Sequence, residues 1–305
     1  MEVQIANPIY DVVFKYMMED NAVAKLVVSS IIKEEVLELV PKPQEHTTEK
    51  QTKEEQTIEN NNSSLTVYRL DFSAKIKTPD GQKLIIIEMQ KASLPTDIPR
   101  FRRYLGEQYI NPNNDISTSK GISGLQLYCI YFLGKDFGID CPVVRINPNE
   151  NLIDDATYQL IKFNNNFDFI TALNHKMWII QINCLKERRR TELEQWLAVF
   201  DQKNITKDWH ILNVKEENFP EKFRPIIRRL KSAASDKDVK NRMKEEDGFI
   251  KYMQDWIRRE REEEIEKSKK EIEEKNKEIA EKDNALAEKD KEIAELKKLL
   301  GNKFK

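Results

Sequence analysis

The stretch "LDFSAKIKTPDGQKLIIIEMQKA", residues 70–92, limits the fold more than any other part of the chain. It reads as two strands around a tight turn. "TPDG" places Pro79 at a turn position and offers Asp80–Gly81 as a hairpin signal. Side chains alternate faces along a strand. Asp71, Ser73, Lys75 and Lys77 therefore share one face of the first strand, and Leu84, Ile86, Glu88 and Gln90 share one face of the second. A two-residue loop at Asp80–Gly81 sets Asp71 opposite Gln90. A four-residue loop over 78–81 sets Asp71 opposite Glu88. Either loop puts Asp71, Glu88 and Gln90 on one face, whereas a three-residue loop breaks the parity.

Directly opposed Cβ atoms lie about 4.5–5.5 Å apart and diagonal neighbours about 7–8 Å. Two carboxylates at either spacing repel unless a cation or a proton sits between them. A hard ion such as Mg²⁺ takes a few carboxylate oxygens and keeps its waters. Such an ion can activate water for attack on a phosphodiester and neutralise the charge that develops. Gln90 can orient that water or hold a phosphate, but a neutral amide is no strong acid or base. The plainer reading makes Asp71 and Glu88 solvent-facing residues of an exposed hairpin.

A chain of 305 residues suits one large domain or two smaller ones. With 34% charged and 39% hydrophobic residues, a core can form in part of it. A net charge of −2 argues against coating nucleic acid through bulk charge, though local basic patches remain open. Cys129, Cys141 and Cys184 form no CxxC pair, which suggests reduced thiols and a cytoplasmic home. There is neither a basic-then-apolar leader nor an 18-residue apolar run, so secretion and membrane spanning are not expected.

Residues 8–40 read as helical. Val23, Leu26, Val27, Ser30, Ile31 and Glu34 fall near one face, Asp20 or Asn21 is a cap, and Pro41 follows the end. Residues 41–64 are polar and read as a flexible insertion. After the hairpin, "TDIPRFRRYLGEQYI" predicts a helix capped by Thr96 or Asp97, with Pro99 in its first turn. "LQLYCIYFLG" (125–134), "PVVRI" and "KMWIIQINCL" (176–185) are strand candidates. From about 187 to 260 the pattern turns helical, with Trp196, Trp209, Phe223, Tyr252 and Trp256 as packing anchors. The expected organisation is a domain over 1–200, a helical extension over 201–260 and a tail over 261–305.

In the tail, Ile265, Ile272, Ile279, Leu286, Ile293 and Leu300 recur every seven residues, the period of a left-handed coiled coil. Only one seam position is apolar. Three residues on stand Ser268, Lys275, Lys282, Lys289 and Leu296. Four residues on stand Lys269, Asn276, Asp283, Asp290 and Lys297. The choice is between a weak coiled coil that makes a homo-oligomer and a solvated helix held by Glu–Lys pairs three and four apart. A single stripe does not set strand number.

Three segments together carry a resemblance. "YDVVFKYMMED" resembles the D-x-x-F-K opening of the PD-(D/E)XK transposase family, the Rpn-like recombination-promoting nucleases, with Asp11, Phe14 and Lys15 in that pattern. "RLDFSAKIKTPDGQKLIIIEMQKA" resembles the family's D…(I/V)-E-(I/M)-Q segment. "PRFRRYLGEQY" is similar to the following helix, with Arg100 and Tyr104 in R-x-x-x-Y spacing. The likeness runs more weakly through "YCIYFLG" and "WIIQINCLKERRRTELEQWLAVF", over roughly residues 5–200.

The resemblance implies a mixed α/β, restriction-endonuclease-like core and a bacterial DNA endonuclease dependent on Mg²⁺ or Mn²⁺ and linked to mobile elements. It implies that Asp71 and Glu88 hold the metal. Gln90 stands where the wider superfamily has its catalytic Lys, a departure this family shares. Lys91 is adjacent, but strand parity turns it to the other face. The superfamily sometimes adds an acid from the first helix, and Asp11, Glu34 and Glu35 are all candidates. Lys15, Arg100, Arg103 and Tyr104 are candidates for DNA contact. "KERRR" (186–190) and "RPIIRRLK" (224–231) are further basic clusters that fit solvated helix faces as readily. His46, His175 and His210 show no ligand spacing. The rival expectations are a catalytically inactive DNA-binding or assembly protein derived from the nuclease fold, and a purely structural oligomer.

Overall fold

The computed structural model describes residues 2–42, 72–91, 97–118, 121–134, 138–147, 156, 157, 159, 174–185 and 191–303. Asp71 lies outside the described residues, as do most of the expected insertion and the "KERRR" run. The described residues fall into two units, Met1–Asp247 and Gly248–Lys305. This division differs from the expected boundaries at 200 and 260, and the reason is a pairing between distant strands. Strand β1 (Glu2–Ala6) pairs antiparallel with β10 (Ile211–Lys215), setting Ile5 against Leu212. Residues just past 200 are thus joined to the first strand of the chain.

The hairpin is present as β3 (Phe72–Thr78) and β4 (Gly81–Gln90). Thr78 pairs with Gly81 and Lys77 with Gln82, the register of the four-residue alternative. Gly81 has φ +117°, a conformation that an L side chain rarely adopts. Among the described residues, six strands form one sheet in the order β2-β3-β4-β7-β9-β8. Here β2 is Glu38–Pro41, β7 Gln126–Leu133, β8 Val143–Ile146 and β9 His175–Gln181. β4, β7 and β9 run parallel, and the outer pairings are antiparallel. A parallel step from β4 to β7 needs a crossover, and helix α3 (Asp97–Ile110) lies in that connection. A short hairpin, β5 (Asp115–Thr118) with β6 (Gly121–Gly124), stands apart from the sheet.

Both faces of β4 are covered, which explains a strand as apolar as "LIII". Ile85, Ile87 and Met89 join the larger core. That core takes in α1 (Asp11–Met18), α2 (Asn21–Ile32), α4 (Glu192–Leu197) and α5 (Arg224–Ser235). Phe14 packs on Phe132, Phe132 on Phe200, and Trp196 on both Phe200 and Phe223, at ring separations of 5.0–6.4 Å. Trp196 is fully buried, and truncating such a residue to alanine costs about 3–5 kcal/mol. Leu84 and Ile86, on the other face, pack with Phe101, Tyr104, Leu127, Cys129 and Tyr131 in a smaller cluster under α3.

Several expectations are corrected. Residues 8–40 are two helices and a strand, because α2 stops at Lys33, whose φ of 58° is left-handed, and the chain then enters β2. Of the two proposed caps for α2, Asp20 accepts the N–H groups of Ala22 at 2.9 Å and Val23 at 3.2 Å. The stretch from 187 to 260 is interrupted by β10 and by 3-10 turns. Trp196 and Phe223 are buried anchors, but Trp209 is 70% exposed, and Tyr252 and Trp256 are exposed as well. Helix α6 runs Lys237–Lys303, and every described side chain from Arg258 to Lys297 is exposed.

Candidate functional site

The candidate site residues separate into three places, and β4 explains the separation. Glu88 and Gln90 share the face of Leu84 and Ile86, which lies under α3. Glu88 has no solvent exposure, and Gln90 is 8% exposed. In register, Glu88 stands beside Tyr131 of β7, and the edge of Phe101 packs on the Tyr131 ring at 4.5 Å. Phe72, the residue after Asp71, pairs with Ile87, the residue before Glu88. The two candidate positions sit near the carboxyl ends of parallel strands, the usual place for ligands in open α/β sheets. There the chain leaves β7 in tight contact with β4. Gly134 N–H donates to the Gln90 carbonyl at 2.8 Å, and a Cβ on Gly134 would lie 2.6 Å from the Lys91 carbonyl oxygen.

Helix α3 contributes unequally. Tyr104 is buried in the smaller cluster, so it packs on the sheet beneath it and does not project into solvent. Arg103 is exposed on the outer side, and the side chain of Arg100 lies outside the described residues.

The second group lies on the opposite face. Lys91 follows the parity of Met89, as strand alternation requires. Its ammonium sits 3.3 Å from the centre of the Tyr10 ring and donates to Asp247 of α6. Asp247 also accepts from the Tyr10 hydroxyl at 3.0 Å and faces His210 Nε2 at 2.9 Å, while His210 Nδ1 faces Asp208 at 3.0 Å. Burial works against the Asp247 carboxylate, but Lys91, His210 and Tyr10 outweigh it and hold its carboxyl below the ordinary range. Burial and the neighbouring Asp247 push the Tyr10 phenol well up. Asp11 opens α1, pairs with Lys15 at 2.6 Å and donates its backbone N–H to Glu246 at 3.0 Å. Burial drives the Glu246 carboxyl up to about 8, against the attraction of Lys91. Asp11, Lys15 and Lys91 therefore gather with Tyr10, His210, Glu246 and Asp247, away from Glu88.

The third place holds Glu34. It accepts from Lys83 and, at 2.9 Å, from the Tyr128 hydroxyl. Lys83 precedes Glu88 by five residues of β4, roughly 16 Å of extended chain. Glu34 and Glu88 cannot share one ion across that span.

The basic run 224–231 is partly consumed by internal pairing. Arg229 stacks 3.7 Å from the Tyr16 ring and pairs with Glu19, and Arg224 pairs with Glu221.

Sequence reasoning missed Tyr10, His210, Glu246 and Asp247 as a group. Asp247 stands 37 residues from His210 and 237 from Tyr10, so no local spacing could have revealed them. Only Lys91 carried a signal, through strand parity.

The implied divalent ion can be weighed against the donors. Glu88 and Gln90 offer a carboxylate and an amide carbonyl on one buried face. These are oxygen donors of the kind a hard cation takes. Among the described residues no group of three or more His, Cys, Asp or Glu side chains is placed to hold a metal ion. Of the described residues, Glu88 and Gln90 would be the ones to offer oxygen donors to a hard divalent ion.

Comparison of the chain with protein-family models, with curated proteins and with solved structures finds no match. Among the described residues no helix is long and apolar enough to cross a membrane.

Proposed function

We propose that the chain is a Mg²⁺- or Mn²⁺-dependent DNA endonuclease with a restriction-endonuclease-like core, related to the transposase-associated nucleases it resembles and working in the cytoplasm. The supporting observation is the placing of Glu88. A fully buried carboxylate stands near the carboxyl ends of parallel strands, on the strand that pairs with the one following Asp71. A fully buried carboxylate at such a strand end is a candidate functional group. In this reading Asp71 and Glu88 hold the ion. When bound, the ion supplies Lewis acidity and an activated water. Gln90 orients a phosphate oxygen or the water through its amide. Arg103, with Arg100 on the same helix, meets DNA phosphates at the rim.

One observation favours a second reading, an inactive DNA-binding protein on the same fold. Gln90 cannot take or give a proton, and the neighbouring Lys91 is tied to Asp247 on the other face. Nicking of supercoiled plasmid by wild type, Glu88→Gln and Asp71→Ala, with Mg²⁺ and with EDTA, separates the two. Glu88→Gln keeps the shape of the buried side chain and removes its charge. The nuclease reading expects nicking by wild type with metal only, and loss of at least about 100-fold in either variant, the scale for removing a group that stabilises transition-state charge. Salt-sensitive DNA binding without nicking gives the second reading. Equal nicking by all three proteins refutes the site.

A further inference from the structure

We propose that Gly248–Lys305 pairs with the same segment of a second copy as a parallel, in-register, two-stranded coiled coil. This goes beyond the nuclease reading and does not depend on it. The starting observation is exposure. Ile265, Ile272, Ile279, Leu286 and Ile293 are 48–64% exposed along one helix, at a strict seven-residue spacing. Five large aliphatic side chains in one line on a solvated helix form a stripe that a single chain leaves uncovered.

The residues beside the stripe decide what covers it. In an antiparallel pair, position a of one helix faces position d of the other. Most Ile or Leu residues of this stripe would then meet a Lys or Ser, Leu296 being the one apolar residue three positions on. In a parallel, in-register pair, a faces a and d faces d. Apolar layers then meet apolar layers, so a seam with one apolar position matches itself in this orientation alone.

Charge settles which seam position the stripe holds. If it were d, the a layers would contain Asp283 facing Asp283 and Asp290 facing Asp290, with side chains too short to reach water. If it is a, the d layers hold Ser268, Lys275, Lys282, Lys289 and Leu296. A lysine can lay its stem along the seam and keep its ammonium in solvent. Position e of the partner flanks d, so Lys282 meets the partner's Asp283 and Lys289 meets the partner's Asp290. Each pair occurs twice by symmetry. The outer charges are mixed, since Glu292 meets Lys297 but Glu278 meets Asp283, so they do not choose the orientation. Two strands suffice, because a third would enclose the lysine heads. The seam ends with Ile293, Leu296 and Leu300, where both seam positions are apolar. Parallel pairing puts residue Gly248 of both chains at the same end of the coil.

The test uses the full chain. Ser268→Cys and Leu296→Cys stand 28 residues apart, about 42 Å along a helix. Each variant is made with a distinguishable tag, and the two are mixed in a glutathione redox buffer, with wild type as the blank for Cys129, Cys141 and Cys184. Disulfides within each variant and none between them are expected, together with a sedimentation mass of twice the 36.0 kDa chain. Ile279→Lys with Leu286→Lys should return that mass to one chain while the fluorescence of the first unit stays native. Disulfides joining the two variants, a wild-type mass of one chain, or an undiminished dimer in the double lysine variant would each overturn the proposal.

Discussion

The buried carboxyl of Glu246 makes a quantitative prediction about stability. Burial pushes it from an ordinary 4.5 to about 8, with Asp11 and Asp247 adding to the rise and Lys91 opposing it. In the unfolded chain Glu246 loses its proton near 4.5, while the folded protein keeps it until about 8. Between those values the folded state binds more protons than the unfolded state, so stability falls as pH rises. Below 4.5 the contribution is whole, and above 8 it is gone. Each pH unit in the window is worth about 1.4 kcal/mol, so pH 5 to pH 8 spans at most about 4 kcal/mol. Water entering around the ionised group will reduce that, and about 2–4 kcal/mol is expected. Glu246→Gln removes the titration but keeps an oxygen to accept the Asp11 N–H. Urea unfolding, followed by tryptophan fluorescence from buried Trp178 and Trp196, should be run on both proteins from pH 5 to 9. Every other group titrates in both, so the difference between them isolates Glu246. The variant should match wild type near pH 5 and exceed it at pH 8–9. Parallel profiles, or a variant that is the weaker one at pH 8, would refute the reasoning.

Two further substitutions test the ends of β4. Lys91→Met should lower the urea midpoint near pH 7, because Asp247 loses its ammonium partner, and should weaken plasmid nicking only in step with that loss, as the end of β4 loosens. Loss of nicking without loss of stability would make Lys91 part of the site after all. Gly134→Ala should cost about 1–3 kcal/mol by overpacking against the Lys91 carbonyl, read as a lower urea midpoint, and should weaken nicking as the end of β4 shifts. An unchanged midpoint would refute that packing argument.

What could be read from the sequence follows the range of the interactions. The hairpin, α3 and the strands β7, β8 and β9 rest on local alternation, turn residues and apolar runs, and each was legible. The heptads of the tail were legible because they repeat. β10 was not, since "ILNVK" is a strand only because β1, some two hundred residues earlier, offers it a partner. β2 was hidden for a similar reason: "ELVP" continues the composition of α2, and its extended form comes from pairing with β3. The aromatic residues past 190 show the same limit. Trp196 and Trp209 look alike in sequence, yet one lies against Phe200 and the other at the tip of a turn. At the site, parity placed Glu88 with Gln90 and turned Lys91 away. The acid at 34 was misjudged because its partners, Lys83 and Tyr128, lie on other strands.

The alternation of β4 gives the candidate site its logic. Even-numbered residues near its end, Glu88 and Gln90, enter the cluster under α3. The odd-numbered Lys91, one step on, enters a network of Tyr10, His210, Glu246 and Asp247 on the other face. A strand cannot move one face without moving the other, because the pleat joins them through a single backbone. The network on the Lys91 side therefore fixes the height and rotation at which Gln90 and Glu88 are presented. Gly134 holds the Gln90 carbonyl from the β7 side at the same point. A lysine that left this network to reach the Glu88 side would have to twist the strand out of its pairing with β7. The amide at position 90 and the tethering of Lys91 are thus two aspects of one arrangement. The cationic side chain is tied into the scaffold, and the face of Glu88 is left with the amide of Gln90 beside it.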